Sequence, residues 1–349
     1  MNIDQKYMLR AIELGKNALG TAAPNPAVGC CIVYQDSIIG EGYTDPYGGP
    51  HAEVNAIQSV KDRSLLEKAT LYVTLEPCSH FGKTPPCSDL IIKKKIPKVV
   101  IGLKDPHHKV AGKGIEKLKS AGIEVVIGIK EEACRTHHIR FLTFQEKKRP
   151  YIILKWAESS DGYIAPDTSK RNANAQPYWI TNPYSRQLVH QWRSEEQSVL
   201  VGTQTALDDN PRLDVRHWKG RDPVRIILDR TLKIPKTSHL FDGSSKTILL
   251  TQQKLESRPK EVIIETINFN QDLPSQICSV LYRHQITSMI IEGGTKTLQS
   301  FIDADVWDEA RIFTGVATFG SGTKSPVFTG NQGSRSTILE DGLNLFTHD

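Results

Sequence analysis

The sequence predicts two successive α/β domains, on three observations. The chain has 349 residues, more than a single hydrophobic core ordinarily serves. In both halves, short apolar runs that read as strands alternate with stretches that read as helices, the pattern of layered α/β domains. Between the halves stands a charged, proline-ended break, Glu146-Lys147-Lys148-Arg149-Pro150, of the kind that separates domains. The expected domains are therefore residues 1–147 and 148–349.

Each element follows from local pattern. Met8, Leu9, Ile12 and Leu19 recur at a roughly helical spacing and predict a helix over about 4–19. The loop Thr21-Ala22-Ala23-Pro24-Asn25-Pro26 leads to strands at about 27–34 and 37–43, joined at Gln35-Asp36. Proline is tolerated at a helix start, so Pro50 fits just before a helix at about 52–60, with His51 and Glu53 in its first turn. Leu71 to Leu75 is a short strand that ends at Glu76-Pro77-Cys78. Pro85-Pro86-Cys87 opens a helix over about 87–95, whose dipole favours a thiolate at Cys87. Strands at 99–103 and 124–127 flank a helix at about 111–121. Beyond the break, strands are expected at 151–155, 198–201, 224–228, 247–251 and 288–291, and the last ~20 residues carry no signal.

Composition narrows the function classes. Hydrophobic residues make up 38% and charged residues 24%, an ordinary water-soluble balance. The net charge of +5 is spread along the chain. That suits a phosphorylated small substrate and gives no basic-aromatic stripe for nucleic acid. The start, Met1 to Lys6, lacks the apolar core of a signal peptide, and no apolar run approaches the ~18–20 residues of a membrane span. The expectation is a cytoplasmic protein with no membrane partner. Six cysteines in this length do not suggest a disulfide scaffold, and Cys30, Cys31, Cys134 and Cys278 read as small core residues.

The chemistry is concentrated in His51-Ala52-Glu53, Pro77-Cys78 and Cys87. One imidazole and two thiolates suit a tetrahedral zinc, and catalytic zinc keeps three protein ligands and an open position. The pattern follows the H-x-E…P-C-x-x-C signature of zinc nucleobase deaminases, in which the Glu is a general acid/base and not a ligand. Glu53 fills that role, and Zn2+ held by His51, Cys78 and Cys87 is the expected metal. The two cysteines enclose eight residues where the signature has two. A closed structural site with His80 as fourth ligand is the alternative, against which Glu53 stands, since such a site has no use for a carboxylate there. In the second half, Met289-Ile290-Ile291-Glu292-Gly293-Gly294-Thr295 reads as a strand running through glycines into a helix. Such a turn either cradles a phosphate or is merely tight.

Taken together, Asn25-Pro26-Ala27-Val28-Gly29, His51-Ala52-Glu53 and the segment from Glu76 to Cys87, with its Thr-Pro-Pro-Cys ending, resemble the deaminase half of the bifunctional riboflavin biosynthesis deaminase/reductase family. Lys155-x-Ala157-x-Ser159-x-Asp161-Gly162, Trp179-Ile180-Thr181, Asp209-Asn210-Pro211, Pro223-x-Arg225-x-x-x-Asp229 and Glu292-Gly293-Gly294 stand in the order of its reductase half. The resemblance covers about residues 4–330. It implies a cytidine-deaminase-like three-layer domain followed by a dihydrofolate-reductase-like α/β domain. It implies two reactions: deamination of 2,5-diamino-6-(5-phosphoribosylamino)pyrimidin-4(3H)-one, then NADPH-dependent reduction of the ribosyl group to ribityl. By position it assigns deaminase substrate contacts to Asn25, His80 and Lys83. It assigns cofactor contacts to Trp179, Thr205, Asp209 and the run Gly294, Thr295, Lys296, Thr297, Leu298, Gln299 and Ser300. Reductase substrate contacts fall on Arg193, Leu213, Arg216 and Glu292, the two arginines matching a ribose phosphate. Pro177 departs from the family, which usually has Ser two places before the Trp. The implied partner is a phosphoribosylated pyrimidine, and a homo-oligomer, with a dimer favoured, is the expected assembly.

Overall fold

The computed structural model describes residues 2–81, 85–106, 112–167, 176–254 and 262–348. The chain divides into two compact units, Met1–Lys148 and Arg149–Asp349.

The first unit holds α1 (Ile3–Lys16), β1 (Gly29–Tyr34), β2 (Ser37–Tyr43), α2 (Ala52–Ser59), β3 (Thr70–Leu75), α3 (Cys87–Lys93), β4 (Lys98–Leu103), α4 (Lys113–Ser120), β5 (Glu124–Ile127), α5 (Glu131–His137) and α6 (Ile139–Lys147). Its five strands lie in the order β2-β1-β3-β4-β5. β1 runs antiparallel to both β2 and β3, while β3, β4 and β5 are parallel. β1, β3 and β4 are buried at nearly every position, so side chains on both of their faces are covered. That requires helices on both sides of the sheet and explains why these strands read as continuous apolar runs. Asn2 caps α1 reciprocally with Gln5, a capping box. The helix stops at Lys16, three residues short of the expected end, and turns carry the chain onward. Cys30, Cys31 and Cys134 are fully buried in this core.

The second unit holds β6 (Tyr151–Glu158), β7 (Tyr163–Pro166), α7 (Pro183–Glu195), β8 (Ser198–Gly202), α8 (Thr203–Asp209), β9 (Val224–Leu228), β10 (Thr247–Thr251) and β11 (Val262–Thr266). After these come α9 (Leu273–Arg283), β12 (Ser288–Gly293), α10 (Thr295–Asp303), β13 (Glu309–Thr314), β14 (Gly322–Lys324), β15 (Asn331–Ile338) and β16 (Asp341–Thr347). Nine strands form one sheet in the order β11-β10-β9-β8-β12-β6-β13-β16-β15, and β14 pairs with β7 separately. The sheet is parallel from β11 to β13, and β16 and β15 close it as an antiparallel hairpin. The hairpin lies in the stretch that carried no signal. β15 is an edge strand with almost every residue exposed, so no apolar alternation marks it.

The five strands expected in this half all form. The helices were the harder part. α7 has its N-cap Asn182 and Pro183 at its start, a start signal that the residues offered. Among the described residues, no helix is long and apolar enough to cross a membrane.

Arg225, the second residue of β9, is fully buried. Its Nη1 donates to the His239 carbonyl at 3.0 Å and to Asp242 Oδ1 at 2.7 Å, and its Nη2 donates to Ser244 Oγ at 2.8 Å. It thus ties the 239–244 loop to the sheet, a structural task. Arg225→Met strands these acceptors and is expected to cost about 3 kcal/mol of stability. Urea denaturation should show a lower midpoint with an unchanged slope. An unchanged midpoint would remove the tether from the account.

Candidate active sites

In the first unit the metal-ligand candidates meet at helix starts. His51 is the N-cap of α2, with extended backbone, and Glu53 lies in the first turn. Cys87 is the first residue of α3, behind Pro86. Cys78 follows β3 by three residues, and its sulfur accepts the Cys87 N–H at 3.3 Å. His51 Nδ1 stands 3.6 Å from Cys78 Sγ and 3.4 Å from Cys87 Sγ. All three donor atoms lie within 4.8 Å of one another. Tetrahedral zinc with ligand bonds of ~2.0–2.3 Å sets its ligands roughly 3.5 Å apart, so the donor set and its spacing fit zinc. Hydrogen bonds from Cys87 and His51 pull the Cys78 thiol down to about 4, while the same contact and burial push Cys87 well up.

Glu53 is 4% exposed. Burial, then the neighbouring Cys78 charge, push its carboxyl up to about 7. A carboxyl so placed can take up and release protons near neutrality. His80 is exposed and outside the three-residue cluster, so it is not a fourth ligand in this arrangement. Asn25 is half-buried in the turn before β1. Lys83 lies outside the described residues.

In the second unit a cavity of about 1600 Å³ lies where β6, β8, β9 and β12 end. Trp179, Thr205, Asp209, Gly294 and most of the expected α10 residues line it, as do Arg193, Leu213, Arg216 and Glu292. Gln299 does not. Its side-chain amide is bonded to both the N–H and the C=O of Val327, on the face of α10 turned away from the cavity. Gly294 has φ +79° at the N-cap of α10. A Cβ on Gly293 would meet Thr205 Cγ2 at 2.7 Å, and one on Gly202 would meet Thr297 Oγ1 at the same distance. The glycines therefore let α8 and α10 start side by side, leaving backbone N–H groups at the cavity wall. Pro177 also lines the cavity.

The charged cluster is ordered by one ion pair. Arg193 Nε and Nη2 hold Glu292 Oε1 and Oε2 at 2.6 and 2.7 Å, and Lys155 Nζ lies 3.8 Å from Oε2. Burial alone would raise Glu292; Arg193 and Lys155 instead hold its carboxyl down at about 2. Arg193 Nη1 also donates to the Asp214 carbonyl at 3.1 Å, and His190 Nδ1 lies 2.8 Å from that oxygen. Since a carbonyl only accepts, His190 carries its proton on Nδ1. Arg216 pairs with the Asp214 side chain and is the more open of the two arginines. Leu213, buried, holds φ at +53° and turns this segment inward. Arg186 sits over the exposed Trp179 ring at 4.5 Å. His190 and Lys155 belong to this cluster in addition to the residues expected from the sequence. His190 was within reach, one helical turn before Arg193 on α7.

The comparisons agree with this geometry. Residues 1–103 match the family described as "Cytidine and deoxycytidylate deaminase zinc-binding region", and residues 150–345 match "RibD C-terminal domain". The chain is 38% identical over 347 residues to the riboflavin biosynthesis protein RibD of Aquifex aeolicus, covering 98% of this chain and 94% of that one. It is 33% identical over 336 residues to RibD of Escherichia coli, covering 91% and 89%. The crystal structure of a diaminohydroxyphosphoribosylaminopyrimidine deaminase/5-amino-6-(5-phosphoribosylamino)uracil reductase from Thermotoga maritima is similar with a TM-score of 0.88, at 37% identity, covering 99% and 98%. Acinetobacter baumannii RibD is similar with a TM-score of 0.87, at 32% identity over the same shares of the two chains.

Burial, then Arg193 and Arg216, push the His190 ring down to about 4. An unfolded His titrates near ~6.5, so on acidification the unfolded chain takes up this proton first. The contribution of the neutral ring is complete above pH ~6.5 and is lost as the pH falls toward about 4, roughly 3 kcal/mol at the limit. His190→Gln keeps a donor for Asp214 and cannot titrate, so its melting temperature should fall less than the wild type's between pH 7 and 4.5. Parallel curves would discard this account.

Proposed function

The chain belongs to the RibD family of riboflavin biosynthesis proteins, and we propose how its residues divide that family's two reactions between the two units. It is a bifunctional deaminase/reductase. The first unit deaminates 2,5-diamino-6-(5-phosphoribosylamino)pyrimidin-4(3H)-one. The second reduces the deaminated product to 5-amino-6-(5-phosphoribitylamino)uracil. The observation that carries the reading is the convergence of His51, Cys78 and Cys87 beside the buried Glu53.

In the first site His51, Cys78 and Cys87 hold the zinc. Bound zinc supplies a Lewis acid that makes water reactive at neutral pH. Glu53 takes a proton from the attacking water, delivers it to the ring nitrogen, and assists the departing amino group as ammonia. Its burial beside the ligands supports that shuttle. Asn25, His80 and Lys83 bind the ribose phosphate end.

In the second site the Gly293-Gly294 turn, the first amides of α10, Thr205, Asp209 and Trp179 would hold the cofactor, all of them at the cavity wall. NADPH supplies the hydride. Arg216 meets the substrate phosphate, joined by the two N–H donors Arg193 has left after Glu292 and Asp214. Glu292, kept ionised by Arg193 and Lys155, accepts from sugar hydroxyls. A cytoplasmic location and a homodimer complete the reading. The six cysteines are all free, as a reducing compartment requires, and β15 offers an exposed strand edge for pairing.

Incubating the zinc-loaded chain with the diamino substrate should yield only the deaminated compound without NADPH and the ribityl compound with it. Release of no ammonia under either condition would overturn the reading. Glu53→Gln should retain one zinc by metal analysis while deamination drops by about 10²–10⁴, with reductase turnover on deaminated substrate unchanged. Arg216→Ala should raise the reductase KM by roughly 10–100-fold. A normal KM would take the phosphate away from Arg216.

A further inference from the structure

We propose that Glu76 is a positioning residue of the deaminase site, one that fixes the ligand Cys78 by anchoring the start of α4. This rests on the zinc-site reading above.

Glu76 follows β3 directly, and its backbone N–H donates to the Leu103 carbonyl at 2.9 Å, extending the contact with β4. Its side chain is 4% exposed. Among the described residues no Lys, Arg or His forms an ion pair with it. Four backbone N–H groups converge on it instead. Oε2 accepts from Asp105 at 3.2 Å and Gly112 at 3.0 Å, and Oε1 accepts from Gly114 at 2.9 Å and Ile115 at 3.2 Å. The first N–H groups of a helix have no partner within it. The N-cap of α4 is Gly112, in a left-handed conformation and without a side chain to offer. Glu76 therefore caps α4 from another element, with its charge at the positive end of the helix dipole.

The consequence reaches the metal ligand. A Cβ on Gly114 would lie 2.1 Å from the Pro77 carbonyl oxygen, so the first turn of α4 rests directly on the peptide between Glu76 and Cys78. Downstream, the Cys78 carbonyl accepts from Ser88 N–H at 3.1 Å, at the start of α3. Lys117 of α4 pairs with Asp89 of α3. Cys78 is thus held between two helix starts, and Glu76 secures one of them. The two oxygens of a carboxylate, with two lone pairs each, can accept all four bonds. In a Gln at this position the amide NH2 would face two N–H donors with a third and fourth.

The test uses the full chain with cobalt(II) in place of zinc, because cobalt absorption reports the geometry of its ligands. Glu76→Gln should alter the cobalt spectrum and release zinc to a chelator about 10–100-fold faster. Deaminase kcat per bound metal should fall with KM little changed, and reductase turnover should stay normal. Glu76→Asp, which keeps the charge, should recover part of each effect. Gly114→Ala, which leaves Glu76 intact and pushes α4 off Pro77, should alter the cobalt spectrum in the same direction, and it serves where Glu76→Gln fails to fold. Folded variants with the wild-type cobalt spectrum and zinc release rate would overturn the proposal and leave the zinc site standing. A wild-type chain that binds no cobalt would overturn both.

Discussion

A parallel sheet imposes one constraint on everything else in this chain. Each strand that leads to a parallel neighbour needs a crossover that returns to the opposite end, so the carboxyl ends of those strands lead into helix starts. Helix starts expose N–H groups and carry the positive end of the dipole. Both units place their chemistry there. Cys87 begins α3, His51 caps α2, and the Gly293-Gly294 turn leads into α10. Such ends favour anionic groups in general, and both candidate sites are built on them.

Two buried carboxyls show how the surroundings assign roles. Glu53 and Glu292 are both removed from water, and burial alone would raise both. Glu292 has Arg193 on both oxygens and Lys155 nearby, and is held at about 2. Glu53 is desolvated and has the Cys78 charge beside it with no arginine or lysine among the described residues to oppose it, and rises to about 7. One stays a fixed negative charge, and the other is poised to exchange protons near neutrality. The same side chain supplies both because its neighbours differ. Glu76 is a third case. Four backbone donors satisfy it, and its work is mechanical.

Legibility followed the range of the interactions involved. Strands buried on both faces, such as β3, β4, β9 and β10, are continuous apolar runs and could be read directly. β15 could not, because its neighbours supply only backbone pairing and its side chains face water. The helices α5 and α6 bury few residues, Cys134 in one and Leu142, Thr143 and Phe144 in the other, so their apolar periodicity is weak. Among site residues, His51, Cys78 and Cys87 were readable because each is a ligand type with little other use in such an order. His190 was so only through its place one turn before Arg193, because the bond it makes is to a carbonyl 24 residues away.

The sequence by itself determined the two α/β units, the residue types of the His51, Cys78 and Cys87 cluster with Glu53 beside it, and the order of the deaminase and reductase halves. These depend on residue type and on spacing along the chain, which a linear string preserves. Tertiary structure alone decided which donors share a centre, which arginine is closed upon Glu292 and which stays open, that Gln299 faces Val327, and that Glu76 reaches across to α4. Each of those depends on distances between segments far apart in the chain. A one-dimensional pattern does not contain them until the sheet has set its strand order.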